Sequence, residues 1–302
     1  MPIKYFSMFS GIGGFEYGME QSKLGKEFEC VGFSEIDQYA ESIYKRNYPN
    51  HINYGDATKI RTEELPDFDF LVGGFPCQSF SIAGHRKGLD DTRGTLFFEI
   101  ARILKDKKPR YFLLENVRNL LSHDKGNTFK TIIRVFSELG YTISWKIYNS
   151  RNHGVPQNRE RIFITGDLGK GEECRPKILF SRVNCKKEND GRVDGYWLKI
   201  HDELWVTTTS KGDAFALVGH EPCRPFSRNA GVYIYDHVGL RKLTPCEREE
   251  LQGFPREWTS LGKWGEEISD TQRMKCLGNA VTTNVVRDII NEVFYEHKET
   301  IE

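Results

Sequence analysis

The sequence predicts an α/β fold: a mostly parallel sheet with helices on both faces, plus a small loop- and β-rich second domain. Three observations predict it. In the first half, short apolar runs alternate with stretches whose apolar residues recur at helical spacing, as in a parallel sheet buried on both faces. Two of those runs end in glycines, Gly11-Ile12-Gly13-Gly14 and Gly73-Gly74, where the carboxyl edge of an open sheet meets its ligands. Between about residues 166 and 238 the periodicity weakens, and glycine, proline and charge are scattered.

Taken in order, residues 3–9 are a first strand, and a helix over 15–21 opens after the glycines. Residues 28–33 form a second strand, followed by a helix over 38–46. A weak strand precedes Gly55, and 68–72 is a convincing one. The helix at 96–104 places Leu96, Phe97, Ile100, Ala101, Ile103 and Leu104 at helical spacing, and Pro109 stops it. Residues 111–114 are a short apolar strand. An amphipathic helix over 129–139 ends at Gly140, and 142–148 and 161–164 are late strands. Thr207-Thr208-Thr209 and Tyr233-Ile234-Tyr235 read as short strands of the second domain. An amphipathic helix over 285–294 returns to the first. The expected division is 1–168 for the catalytic and cofactor-binding domain, 169–272 for the small domain, and 273–302 for the returning segment. There is no internal repeat and no low-complexity tract.

The chain has 302 residues, 38% hydrophobic and 28% charged, the balance of a globular protein with a sizeable core. No apolar run reaches membrane-spanning length and no secretory signal pattern opens the chain, so a cytoplasmic location is expected. Seven cysteines, none spaced as CxxC, point to free thiols in a reducing compartment. With 43 basic and 43 acidic side chains the net charge is zero, so a nucleic-acid partner would need local cations. These occur in the loop His85-Arg86-Lys87 with Arg93 and between Arg175 and Arg241, although solvated charges balanced by acids explain them equally well.

The glycine turn 11–14 lies between a strand and a helix, where the backbone approaches a ligand closely. A dinucleotide fingerprint needs glycine at position 16, where Glu16 stands, and an acid there opposes a pyrophosphate. A cofactor without phosphates, such as S-adenosylmethionine, suits the turn better. Glu35, about 20 residues on, is placed to receive ribose hydroxyls, and Asp56 could face an adenine. Taken singly, each acid is an ordinary loop carboxylate. Cys77, after Gly73-Gly74 and Pro76, is presented at the sheet edge, where a thiolate can add to an electron-poor carbon. The other six cysteines read as inert. Glu115 closes the strand 111–114 at the same edge and could protonate or hydrogen-bond a ring nitrogen; its plain alternative is a helix-capping acid. Arg159 and Arg161 alternate along an extended segment and share a face, suited to a carboxylate, a phosphate or a base oxygen, or to a surface ion-pair ladder.

With these residues assembled, the chain resembles a DNA (cytosine-5)-methyltransferase of the bacterial restriction–modification type. The resemblance is carried by 9–14 (FSGIGG), 74–81 (GFPCQSFS), 115–117 (ENV), 157–162 (QNRERI), 241–245 (RKLTP), 251–255 (LQGFP) and 278–281 (GNAV), in the family's order. It implies the Rossmann-like fold of S-adenosylmethionine-dependent methyltransferases. It also implies that Cys77 attacks C6 of a cytosine flipped out of duplex DNA, with Glu115 at N3 and Arg161, supported by Arg159, at the base oxygen. The cofactor, leaving as S-adenosyl-L-homocysteine, would be held by Phe9, Gly11, Ile12, Gly13, Gly14, Glu35, Ile36, Asp56, Pro76, Leu96, Asn279 and Val281. DNA contacts would come from Gln78 and from Ser81, Arg86, Lys87 and Arg93 on a lid spanning 79–93. The region 169–272 would read a short target sequence, a separate restriction endonuclease would be the partner in the cell, and the enzyme would be a monomer without metal or membrane attachment. Ser7 stands where the family most often has aspartate. Three other readings are weighed. A tRNA cytosine-5 methyltransferase of similar fold would carry a Cys-Phe-Thr tripeptide, absent here. A catalytically dead regulator is opposed by the intact Cys77, Glu115 and Arg161. A zinc deaminase, suggested by His220-Glu221-Pro222-Cys223, lacks the PCxxC it needs.

Overall fold

The parallel half of the sheet forms because its strands alternate apolar residues between two faces, each covered by helices. In a computed structural model, residues 2–75, 96–169, 233–236 and 239–295 are described. The elements in order are β1 (Ile3–Met8), α1 (Gly14–Glu20), β2 (Phe28–Ser34), α2 (Gln38–Asn47), β3 (Phe70–Gly74), α3 (Leu96–Lys107), β4 (Tyr111–Val117), α4 (Asn127–Glu138), β5 (Thr142–Asn149) and β6 (Glu160–Asp167). There follow β7 (Tyr233–Asp236), β8 (Gly239–Lys242), α5 (Pro245–Leu251), α6 (Asp270–Asn279) and α7 (Thr283–Ile290), which runs into a π-helical turn at Asn291–Tyr295. The expected weak strand before Gly55 is a single bridge, Phe33 to Asn53. The expected strand at 207–209 lies outside the described residues.

Six strands form one sheet in the order β2-β1-β3-β4-β6-β5. β2, β1, β3 and β4 are mutually parallel, and β6 runs antiparallel to both neighbours, β4 and β5. The short link between β5 and β6 allows no crossover, so the two pair as an antiparallel unit. β7 and β8 make a separate antiparallel pair.

Alternation decides which helix covers which side. Phe6, Met8, Leu71, Phe112, Leu114, Ile162 and Ile164 pack with Phe97, Ile100 and Leu104 of α3 and Ile132 and Phe136 of α4. Tyr5, Phe70, Val72, Leu113 and Phe163 turn to the other face, against Phe15 and Met19 of α1 and Val285, Val286 and Ile289 of α7. A Cβ at Gly18 would come within 2.6 Å of Val286 Cβ, so α1 and α7 touch as closely as they do only because that position has no side chain.

Residues 243–281 belong to the same packed body. Phe254, Ile268, Cys276, Leu277 and Ala280 share a cluster with Ile12 of the glycine turn and with Ala40 and Ile43 of α2. The expected boundary at residue 272 therefore falls inside a unit that packs against the first domain. Polar spacing hid this: α5 and the turn after it are held by a capping box, Thr244 with Glu247, and by the buried Glu249, rather than by a periodic apolar stripe.

The order of strands reverses at β1, whose chain neighbours β2 and β3 lie on opposite sides of it. That reversal opens a crevice beyond the carboxyl ends of the parallel strands.

Candidate active site

A cavity of about 570 Å³ fills that crevice. Phe9 and Gly11 after β1, Ser34 to Asp37 after β2, Gly74 and Phe75 at the end of β3, and Glu115 to Val117 at the end of β4 line it, with Asp56, Leu96, Arg159, Arg161 and Gly278-Asn279 completing the wall.

The turn after β1 is left-handed at three places, Phe9 (φ 54°), Gly11 (φ 57°) and Gly13 (φ 89°). Phe9 has no glycine freedom there, and the surrounding packing holds it in a conformation that costs an ordinary residue roughly 1–2 kcal/mol. Glu35 anchors this turn to the next one. Its carboxylate accepts from Gly11 N at 2.8 Å through one oxygen, and from Ile36 N and Asp37 N, both at 2.8 Å, through the other. The oxygen that takes Gly11 N keeps a further lone pair for a ligand hydroxyl, whereas both lone pairs of the other are used. Asn53 fastens the same stretch, accepting from Glu35 N and donating to Glu35 O. Asp37 caps α2 and pairs with Lys275 of α6, which holds its carboxyl below the usual range even though burial pushes the other way. Asp56 accepts from both Thr58 N and Thr58 Oγ1, and these bonds hold its carboxyl low.

On the β4 side, Glu115 Oε1 lies 2.9 Å from Arg161 Nε, both side chains mostly buried. The antiparallel register sets Arg161 opposite Val117, so Glu115, two residues back on the same face, is its diagonal neighbour. The same carboxylate lies over Gly74, where an added Cβ would stand 3.2 Å from Oε2. Arg159 is buried at 2% exposure, its Nη2 donating to the carbonyls of Gly278 (3.3 Å) and Ala280 (2.8 Å) at the end of α6. Its Nε and Nη1 are buried without a protein partner among the described residues. Burial, and secondarily Arg161, pushes its pKa down to about 9, while Glu115 opposes the shift. At neutral pH it is still a cation with two unmet donors in the wall of a cavity, an arrangement that a ligand acceptor would complete.

Of the residues expected at the site, Phe9, Gly11, Glu35, Ile36, Asp56, Leu96, Glu115, Arg159, Arg161 and Asn279 line this one cavity. Ile12, Gly13, Gly14 and Val281 do not. Ile12 packs with Ala40 and Ile43, and Cβ atoms at Gly13 and Gly14 would strike Tyr48 and Val281 respectively. Those four shape the turn from behind. Glu16 also faces away, buried against the Tyr44 hydroxyl at 3.1 Å. Pro76, Cys77, Gln78, Ser81, Arg86, Lys87 and Arg93 lie outside the described residues, as does His220-Glu221-Pro222-Cys223. Burial raises the pKa of Cys30 and Cys276 to about 12 and also lifts Cys246, so these thiols make poor nucleophiles.

Asn116, which the sequence left without a role of its own, also lines this cavity. Its Nδ2 donates to Phe75 O at 2.8 Å, and its Oδ1 accepts from Val117 N at 2.8 Å, so it ties the end of β4 to the residue that precedes Pro76-Cys77. Its place beside Glu115 in 115–117 was the available signal.

The model of the family described as C-5 cytosine-specific DNA methylase matches residues 3–192 and 207–295. The type II methyltransferase M1.ScrFI of Lactococcus lactis subsp. cremoris is 38% identical over 96% of this chain and 77% of its own length. M.HaeII of Haemophilus aegyptius, also a type II methyltransferase, is 40% identical over 95% of this chain and 91% of its own. The crystal structure of S. pombe Dnmt2 methyltransferase superposes with a TM-score of 0.69 at 21% identity, over 98% of this chain and 99% of that one, a likeness of fold.

Proposed function

The chain belongs to the C-5 cytosine-specific DNA methylase family and is a DNA cytosine-5-methyltransferase, and from that premise we propose that it uses S-adenosylmethionine and a covalent Cys77 intermediate on a flipped-out cytosine. The observation that carries this reading is the meeting, in one cavity, of the Glu115–Arg161 pair and the unsatisfied Arg159 with the Glu35-braced glycine turn.

The cofactor fits the donor set. Among the described residues the lining carries carboxylates of Glu35, Asp37, Asp56 and Glu115 against two guanidiniums. That wall repels phosphates and suits a sulfonium cation with ribose hydroxyls and amino groups to donate. Glu35 would take the ribose hydroxyls, and Ile36, 73% exposed at the rim, would lie flat against the adenine. Bound S-adenosylmethionine supplies the methyl group that C5 receives, and S-adenosyl-L-homocysteine is the product.

The chain's own part is to make C5 nucleophilic. The Cys77 thiolate would form a bond to C6 while Glu115 supplies a hydrogen bond or proton at N3, and Arg161 would hold the base oxygen. Once C5 is methylated it gives its proton to a base, the S–C6 bond breaks, and the thiolate returns. The Glu115–Arg161 contact keeps the two groups at one spacing before the base arrives, which lowers the reorganisation needed in the reaction. Gln78, Ser81, Arg86, Lys87 and Arg93 would contact the DNA strand, and residues of the region beginning at 169 would read the target sequence as part of a restriction–modification pair.

Duplex DNA carrying 5-fluorocytosine at the target tests this, because fluorine cannot leave as a proton does. We expect a stable adduct, mapped by mass spectrometry to the peptide containing Cys77 and absent from Cys77→Ala. An adduct on another cysteine, or none from an active enzyme, would remove Cys77 from the mechanism.

A further inference from the structure

Resting on the reading of the cavity as the adenosyl site, we propose that Arg102 of α3 is a positioning residue for the cofactor, holding the wall formed by Asp56 and Ala57. This wall has little backbone support of its own. Before it, the chain is tied to β2 by the bridge at Asn53 and by Ser34 Oγ, which donates to Gly55 O at 2.7 Å; after it, the 3₁₀ turn at Ala57–Lys59 is one turn long. Arg102 supplies the tie across the turn itself: Nη2 donates to Ala57 O at 3.0 Å and Nη1 to Ile60 O at 2.9 Å, one nitrogen for each end of the turn. Glu99, one helical turn earlier, receives Nε at 2.9 Å and lies 2.8 Å from Nη2, so the guanidinium plane is braced from behind. α3 itself starts at Leu96, which lines the same cavity. One helix thus contributes both a wall residue and the strut that holds the Asp56–Ala57 wall.

The fork geometry is what the position requires. Two carbonyls at the two ends of a turn and one carboxylate behind need three nitrogens in a plane, and an ammonium is a single point. Lysine at 102 would reach one carbonyl and leave the other end of the turn free. Arg102 touches neither the base nor the reacting atoms, so its effect should appear in cofactor affinity and spare the chemical step.

Calorimetric titration of the full chain with S-adenosylhomocysteine, paired with steady-state kinetics on duplex DNA, tests this. We expect Arg102→Ala to raise Kd about tenfold and KM for the cofactor in parallel, with kcat at saturating cofactor falling far less. Arg102→Lys should recover part of the affinity, and thermal unfolding of the ligand-free variants should remain close to wild type. Wild-type affinity in Arg102→Ala overturns the proposal. So does a loss of kcat equal to the loss of affinity, or a collapse of stability that Arg102→Lys restores without restoring binding. If the wild-type chain itself fails to bind S-adenosylhomocysteine, the reading of the cavity fails instead.

Discussion

Glu16 shows how one residue's environment reverses its expected role. In the sequence it is an acid at the head of a helix beside a glycine turn; in the fold it is 1% exposed, hydrogen-bonded to Tyr44, whose hydroxyl also lies 3.0 Å from His51 Nδ1. Burial lifts its pKa to about 7, and the Tyr44 hydrogen bond opposes the lift. Ser7 bears on this directly. An aspartate there would set a second carboxylate near a buried one, whereas a serine hydroxyl adds no charge. A carboxyl raised in the folded state holds its proton where the unfolded chain has lost it. Its contribution to stability is therefore complete below about pH 4.5 and is lost as the pH rises through about 7. Glu16→Gln keeps the size and removes the titration. Its stability relative to wild type should grow between pH 5 and pH 8, by at most about 1.4 kcal/mol per pH unit within that window. Urea unfolding at both pH values measures it, and a pH-independent difference would mean that Glu16 is not the buried acid described here.

At the scale of elements, the contact between α1 and α7 depends on Gly18. A Cβ there would meet Val286 Cβ at 2.6 Å and Thr283 O at 2.7 Å, the second a backbone atom that cannot rotate away. Gly18→Ala should cost about 1–3 kcal/mol, as overpacking does, read as a drop in the urea midpoint, and adding Val286→Ala should restore only part of it. Full restoration by the second change would place the whole clash on the valine and none on the backbone. The helical periodicity of 285–294 was legible in the sequence, and so were β1, β2, α2, β3, α3, β4, α4, β5 and β6, because apolar residues recur along each at a strand or helix period. α5 and α6 were not. They bury Glu249 and Arg273, whose 3.0 Å ion pair joins the two helices, and charged side chains in a core leave no apolar period to detect.

For the whole molecule, the cavity draws its wall from segments as far apart as Phe9, Glu35, Asp56, Gly74, Glu115 and Asn279. A ligand bridging segments so far apart in sequence stabilises the entire unit. S-adenosylhomocysteine at about 100 times its Kd should add about 2.7 kcal/mol and raise the apparent Tm by roughly 4 °C in a chain of this length. Glu35→Ala should lose most of that shift at the same concentration, and an unchanged shift would take Glu35 out of the site. The sequence by itself determined the alternating strands and helices, the glycine turn, and which acids and arginines were candidates, because strand period, turn chemistry and residue type are local properties. The tertiary structure alone decided which of them meet. Glu115 and Arg161 become neighbours only through the antiparallel register of β4 and β6, and Arg159 acquires its unmet donors only when the end of α6 seals over it. Pairing between distant strands and burial by a distant helix are long-range, and no window of sequence contains both partners.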